Sequence, residues 1–138
     1  MNGYAAAAVR AAVSAALGSA LLAALPAHAA DAADAARGEQ LYSRCIACHA
    51  LARDRVGPRH CGVLGRRAGS VPGFAYTDEM KNSQLVWDEK TLDRFLAKPM
   101  SVVPGTSMTY DGVPEARDRA DLIAYLRQAA SGPECVRK

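Results

Sequence analysis

Read by the period of its apolar residues, the chain divides into one unbroken run, several amphipathic stretches and glycine-rich intervals. The run occupies residues 11–25, is rich in alanine and carries no charge. Beyond it, Leu41, Tyr42 and Cys45 recur at helical spacing, which predicts a helix from about Asp34 into the segment that starts at Cys45. Gly38 lies inside that helix. Glycine weakens a helix, so it marks either a close crossing with a second helix or a residue tolerated near the helix start. Thr77 or Asp78 would cap a short helix over residues 77–83. Asp88 would cap another over residues 89–98, with Leu92, Phe95 and Leu96 inward and Pro99 at its end. A last helix starts near Pro114, with Glu115 at its positive end. Its stripe is Leu122, Ile123, Leu126 and Ala129, joined by Tyr125, and Gly132-Pro133 stops it.

Residues 50–73 hold Gly57-Pro58, Gly62, Gly65, Gly69 and Pro72-Gly73, too many breakers for a regular element. A loop of that length in a small domain is expected to wrap something. Residues 102–112 form a second loop, around Pro104-Gly105-Thr106-Ser107-Met108. Residues 30–138 show no strand alternation, internal repeat or membrane-length run. The expected fold class is all-α: about four to five helices and long loops in one domain.

Composition changes this picture at the N-terminus. Arg10 is the only charge before Asp31, and Ala27-His28-Ala29 follows the apolar run as an A-x-A cleavage site would. Residues 1–29 are therefore expected to be a signal peptide and residues 30–138 the exported domain; the alternative is a leader retained as a membrane anchor. The formal net charge of +3, part of it from Arg10, is far from the strongly basic balance that nucleic acid or an anionic membrane calls for. The chain has 4 cysteines, all after residue 29. In an oxidising compartment Cys61 and Cys135 read as a disulfide, with two unpaired thiols as the alternative.

The other two cysteines stand in Cys45-Ile46-Ala47-Cys48-His49, the C-x-x-C-H spacing of c-type haem attachment. Two thiols three residues apart can each add to one haem vinyl group, and the adjacent imidazole can ligate the iron. These five residues alone also allow a zinc site that recruits Cys61, or a redox dithiol, though the βαβ pattern expected around a dithiol is missing. A second axial ligand would come from His60, Met80, Met100 or Met108. Met80 and Met100 sit in or beside helical segments, where methionine often fills gaps. Met108 sits in a Pro-Gly loop that aims it by backbone geometry.

From Gly38 and Tyr42 onward the chain resembles the class I c-type cytochromes, the family of mitochondrial cytochrome c and its bacterial periplasmic relatives. The resemblance runs through Cys45-x-x-Cys48-His49, Gly57-Pro58, Gly65-Arg66-Arg67-Ala68-Gly69, Pro72-Gly73-Phe74-x-Tyr76, Trp87, Thr91-Leu92, Pro104-Gly105-Thr106-x-Met108 and Arg119-x-Asp121-Leu122-Ile123-Ala124-Tyr125-Leu126. It implies the cytochrome c fold around one covalent haem c, with thioethers from Cys45 and Cys48. It makes His49 and Met108 the iron ligands and has the Pro58 carbonyl hold the other ring nitrogen of His49. Arg66, Tyr76 and Trp87 would surround the haem propionates, and Gly38 and Tyr125 would mark the crossing of the first and last helices. The chain departs from the mitochondrial pattern at Met100, Ser101, Ser107, Pro114 and Glu115, where docking lysines are lost, while Arg44 keeps one charge. Phe95 and Met80 replace polar residues of the inner network, His60 replaces a leucine, and Cys61 and Cys135 are additions.

The expected function is a soluble, monomeric, periplasmic one-electron carrier that moves an electron between redox protein partners. It is not expected to be an enzyme, to bind nucleic acid, or to stay on the membrane after cleavage. The alternatives are a haem subunit of a periplasmic dehydrogenase, or peroxidase-like activity if Met108 is labile. A zinc module would leave Met108, Trp87, Tyr76 and Pro104-Gly105-Thr106 without a shared explanation.

Overall fold

The first and last long helices cross at Gly38. A Cβ there would lie 2.0 Å from the Asp121 carbonyl oxygen, so only glycine permits this approach. The computed structural model describes residues 32–136, so the expected signal peptide at residues 1–29 lies outside the described residues. Among the described residues there are six helices: α1 Ala35–Tyr42, α2 Asp78–Asn82, α3 Glu89–Ala97, α4 Pro99–Val102, α5 Ala116–Ala129 and α6 Pro133–Val136. α5 packs against both α1 and α3. Among the described residues the only bridge of β type is a single antiparallel pair, Arg67 with Val86.

The caps follow the chemistry of the sequence. The Thr77 hydroxyl accepts from the Met80 N–H at 3.3 Å, and the Asp88 carboxylate accepts from the Thr91 N–H at 2.6 Å. Asp34 caps α1 by accepting from the N–H groups of Ala36 and Arg37. Four expectations need correction. α1 stops at Tyr42, and the chain passes through Cys45 in tight turns, such as Cys45 N–H to the Tyr42 carbonyl at 2.8 Å. Pro99 does end α3, but it also opens α4, because its missing N–H is tolerated at a first helical position. α5 begins at Ala116, two residues after Pro114, with Glu115 as an N-cap that makes no side-chain bond. Pro133 likewise opens α6, where the sequence predicted only a stop.

The α1–α5 crossing is fastened by charge. Arg37 pairs with Asp118 and Asp121, and the Asp34 N–H donates to Asp121 at 2.7 Å. Burial pushes the Asp121 pKa up. The Asp34 N–H, Arg37 and Arg117 outweigh it and hold the carboxyl below its ordinary range. Leu122, Ile123 and Leu126 of α5 join Leu92 and Phe95 of α3, with Tyr42, Met80, Trp87, Val103 and Val113, in one core. Cys61 and Cys135 form the expected disulfide, with Cα atoms 5.4 Å apart, tying the first long loop to α6.

Candidate functional site

The turns after α1 bring His49 under the first loop. Its ring is buried, and Nδ1 lies 2.8 Å from the Pro58 carbonyl oxygen, to which it donates in the tautomer that leaves Nε2 unprotonated. Burial lowers the His49 pKa, although the Pro58 carbonyl pulls it up, so the neutral imidazole that binds metals is favoured. Gly57 makes room for the ring: a Cβ there would lie 2.2 Å from Cε1 of His49. The Gly57 N–H donates to the Cys48 carbonyl at 2.7 Å and closes the turn.

His49 lines a cavity of about 430 Å³, within the usual range for cofactor sites. Cys45, Cys48, Pro58, Arg66, Tyr76, Trp87 and Met108 also line it, so every residue expected at the site reaches one space. The rest of the wall is largely apolar, from Val63, Phe74, Leu92, Phe95, Val113, Leu122 and Leu126 among others. Cys45 and Cys48 are both free thiols, and Cys48 stands exposed at the rim. Burial pushes the Cys45 thiol up in pKa. An apolar cleft with two free thiols, a tautomer-fixed imidazole and a thioether fits a covalent haem in shape and in donor chemistry.

The alternatives read from the five motif residues lose ground here. Cys61 is committed to Cys135, so a Cys₃His zinc site lacks its third thiolate. No cluster of three or more metal-type side chains occurs among the described residues. Of the four candidates for a second axial ligand, Met100 does not line the cavity and is 46% exposed. Met80 is a buried core residue on α2 that also touches the cavity. Met108 enters from the second loop, with its N–H bonded to the Thr106 hydroxyl at 3.2 Å. Thr106 is itself buried, which seats this turn against the core.

Arg66 and Trp87 are brought together by the bridge region. The Gly65 N–H donates to the Trp87 carbonyl and the Trp87 N–H to the Arg66 carbonyl, each at 2.9 Å. The Arg66 guanidinium donates to the carbonyls of Cys61 at 3.0 Å and Arg59 at 2.8 Å. Its charge thus sits at the cavity wall on a backbone mount that no sequence pattern announced. Trp87 packs on Phe95 with ring centroids 4.8 Å apart, and Tyr76 on Phe74 at 4.7 Å.

His60, which the sequence left without a physical role, stacks on His49 with centroids 4.2 Å apart and planes 23° from parallel. Its Nδ1 lies 3.0 Å from the Tyr42 hydroxyl. Burial, with His49 and Arg66 nearby, pushes the His60 pKa down to about 3, so the ring is neutral. Burial also raises the Tyr42 pKa and keeps it a phenol.

Comparison with known proteins adds four findings. The cytochrome c family profile matches residues 35–130. Cytochrome c2 from Rhodomicrobium vannielii is 48% identical over 113 residues, which span 80% of this chain and 89% of that protein. Cytochrome c2 from Blastochloris viridis is 42% identical over 102 residues, covering 72% and 80%. Among solved structures, cytochrome cH from Methylobacterium extorquens superposes with a TM-score of 0.68 at 42% identity, over 69% of this chain and 98% of that one.

Proposed function

The chain belongs to the cytochrome c family, and from that premise we propose that it is a periplasmic one-electron carrier whose haem iron is ligated by His49 and Met108. Haem c is the cofactor, carried on Cys45 and Cys48. When bound, it supplies a one-electron ferric–ferrous couple, and a His/Met pair favours a raised potential. The observation that carries the reading is the shared wall. Two free thiols, an imidazole with Nδ1 committed to Pro58, and the Met108 thioether line one apolar cavity.

The chain's own residues then do the following. Pro58 fixes the tautomer of His49 and so leaves Nε2 as the coordinating nitrogen. Thr106 holds the backbone of Met108. Leu92, Phe95 and Leu122 keep water out, which limits solvent reorganisation when charge changes. Arg66, Tyr76 and Trp87 supply a charge and two polar hydrogens on the wall where propionates would need donors. Redox protein partners would supply the electron and accept it. The carrier works as a monomer, and with His49 and Met108 both holding the iron no position would be left there for a substrate. Cleavage of residues 1–29 releases it to the periplasm.

The test is the visible spectrum of purified holoprotein, oxidised and reduced, with and without carbon monoxide. A c-type reduced spectrum that carbon monoxide leaves unchanged, with a ferric iron–sulfur charge-transfer band lost in Met108→Ala, is expected. Rapid carbon monoxide binding by the unmodified reduced protein would overturn the His/Met carrier reading.

A further inference from the structure

We propose that His60 is a positioning residue for His49: it fixes the plane of that imidazole and lowers the reduction potential of the site. This rests on the His49 ligation proposed above. The two rings stack at 4.2 Å with planes 23° apart, close enough that rotation of one ring must displace the other. His60 cannot yield easily. Its backbone N–H is bonded to the carbonyls of Ala50 and Leu51 at 3.1 and 3.0 Å. The next residue, Cys61, donates to Leu51 and is cross-linked to Cys135. At the ring's far end, the Tyr42 hydroxyl lies 3.0 Å from Nδ1, and Tyr42 is itself wedged against Tyr125 at 5.2 Å.

The chain therefore builds a rigid support from α1 and α5, through Tyr42, to His60 and then to His49. A side chain that only filled volume would need neither a flat face nor a hydrogen bond at its edge. The electronic consequence has a definite sign. The His49 imidazole carries more positive character when its iron is ferric, and a neutral aromatic face attracts positive charge. The stack thus favours the oxidised state, and an aliphatic side chain in its place would not.

The experiment measures the midpoint potential and the ferric electron paramagnetic resonance g values of the holoprotein and of His60→Leu, His60→Phe and Tyr42→Phe. His60→Leu is expected to raise the potential and change the g spread, which reports the ligand plane. His60→Phe, which keeps a flat ring on His49, is expected to stay closer to the parent in both. Tyr42→Phe is expected to move both in the direction of His60→Leu, by less. His60→Leu with its iron–sulfur band intact and the parent's potential and g values would overturn the inference while leaving the carrier reading standing. If His60→Leu fails to mature with haem, Tyr42→Phe decides: no change in either quantity overturns the inference. A parent protein without the signature of imidazole-ligated low-spin iron would overturn the ligation reading, and this inference with it, before any variant is made.

Discussion

The two long loops that reach the cavity are held in different ways. The first, which carries Pro58 beside His49, is bonded along its length. His60 and Cys61 donate to Leu51, Gly57 to Cys48, and the Arg66 guanidinium to Arg59 and Cys61. The Cys61–Cys135 bridge then fastens it to α6. The second loop, which carries Met108, is pinned mainly at its ends. Thr106 N–H reaches Val103 at 3.0 Å, and Val113 N–H reaches Leu96 at 2.8 Å. Between them Met108 N–H has the Thr106 hydroxyl, while Ser107, Thr109, Tyr110 and Asp111 are exposed. The same cavity is thus lined by one over-determined imidazole, His49, and by one thioether, Met108, on a lightly held segment. Local opening follows such differences in bonding and burial, so the Met108 side is expected to open first.

The largest blow to this asymmetry is to cut the first loop's covalent anchor. Cys61→Ser with Cys135→Ser is expected to cost about 4 kcal/mol in the chain-entropy model, read as a lower midpoint in guanidinium unfolding. The ferric iron–sulfur band under native conditions should remain, because the bridge does not touch the second loop. Next is Gly57→Ala, whose Cβ would meet the His49 ring at 2.2 Å. Overpacking of this kind costs about 1–3 kcal/mol, and here it should appear as a changed Soret spectrum together with lower unfolding stability. Thr106→Val sharpens the contrast from the other side. Losing the hydroxyl that accepts from Met108 N–H should cost about 1 kcal/mol, seen as loss of the iron–sulfur band at lower urea while global unfolding moves less. The smallest expected effect lies outside both loops. Asp121 is held below its ordinary carboxylate range. The stability it contributes is therefore fully present above an unfolded pKa of about 3.9 and is lost as pH falls through the lower folded value. Asp121→Asn should flatten the acid limb of a stability-versus-pH curve below about pH 4 without changing which loop opens first.

The parts of the site that could be read in the sequence are those fixed by covalent spacing. Cys45, Cys48 and His49 lie within five consecutive positions, whereas Met108 is singled out from His60, Met80 and Met100 mainly by the family resemblance, its Pro-Gly loop being a weaker sign. Helix α3 was readable for a similar reason, since Asp88, Leu92 and Phe95 obey local rules of capping and period. The proline signals at Pro99 and Pro133 were read as stops, but proline closes one helix and opens another with equal ease, and packing decides which. His60 and the Arg66 mount were unreadable because both depend on groups brought near only by the fold. His60 meets a ring on α1, and Arg66 meets two carbonyls whose direction the loop sets.

The Cys61–Cys135 bridge has a consequence for how the protein is made. With export as proposed above, four thiols meet an oxidising space and admit three two-bridge pairings, and a C-x-x-C pair closes on itself readily. The native pairing joins residues 74 apart in sequence, so it must wait for the C-terminus, whereas Cys45 and Cys48 emerge early and stand ready to pair with each other. Biogenesis is then a race between oxidation and two thioether additions: Cys45 and Cys48 must both still be reduced when the prosthetic group arrives, whereas Cys61 and Cys135 can pair before or after it. Yield in the cell should depend on the order of those events as much as on the stability of the finished fold.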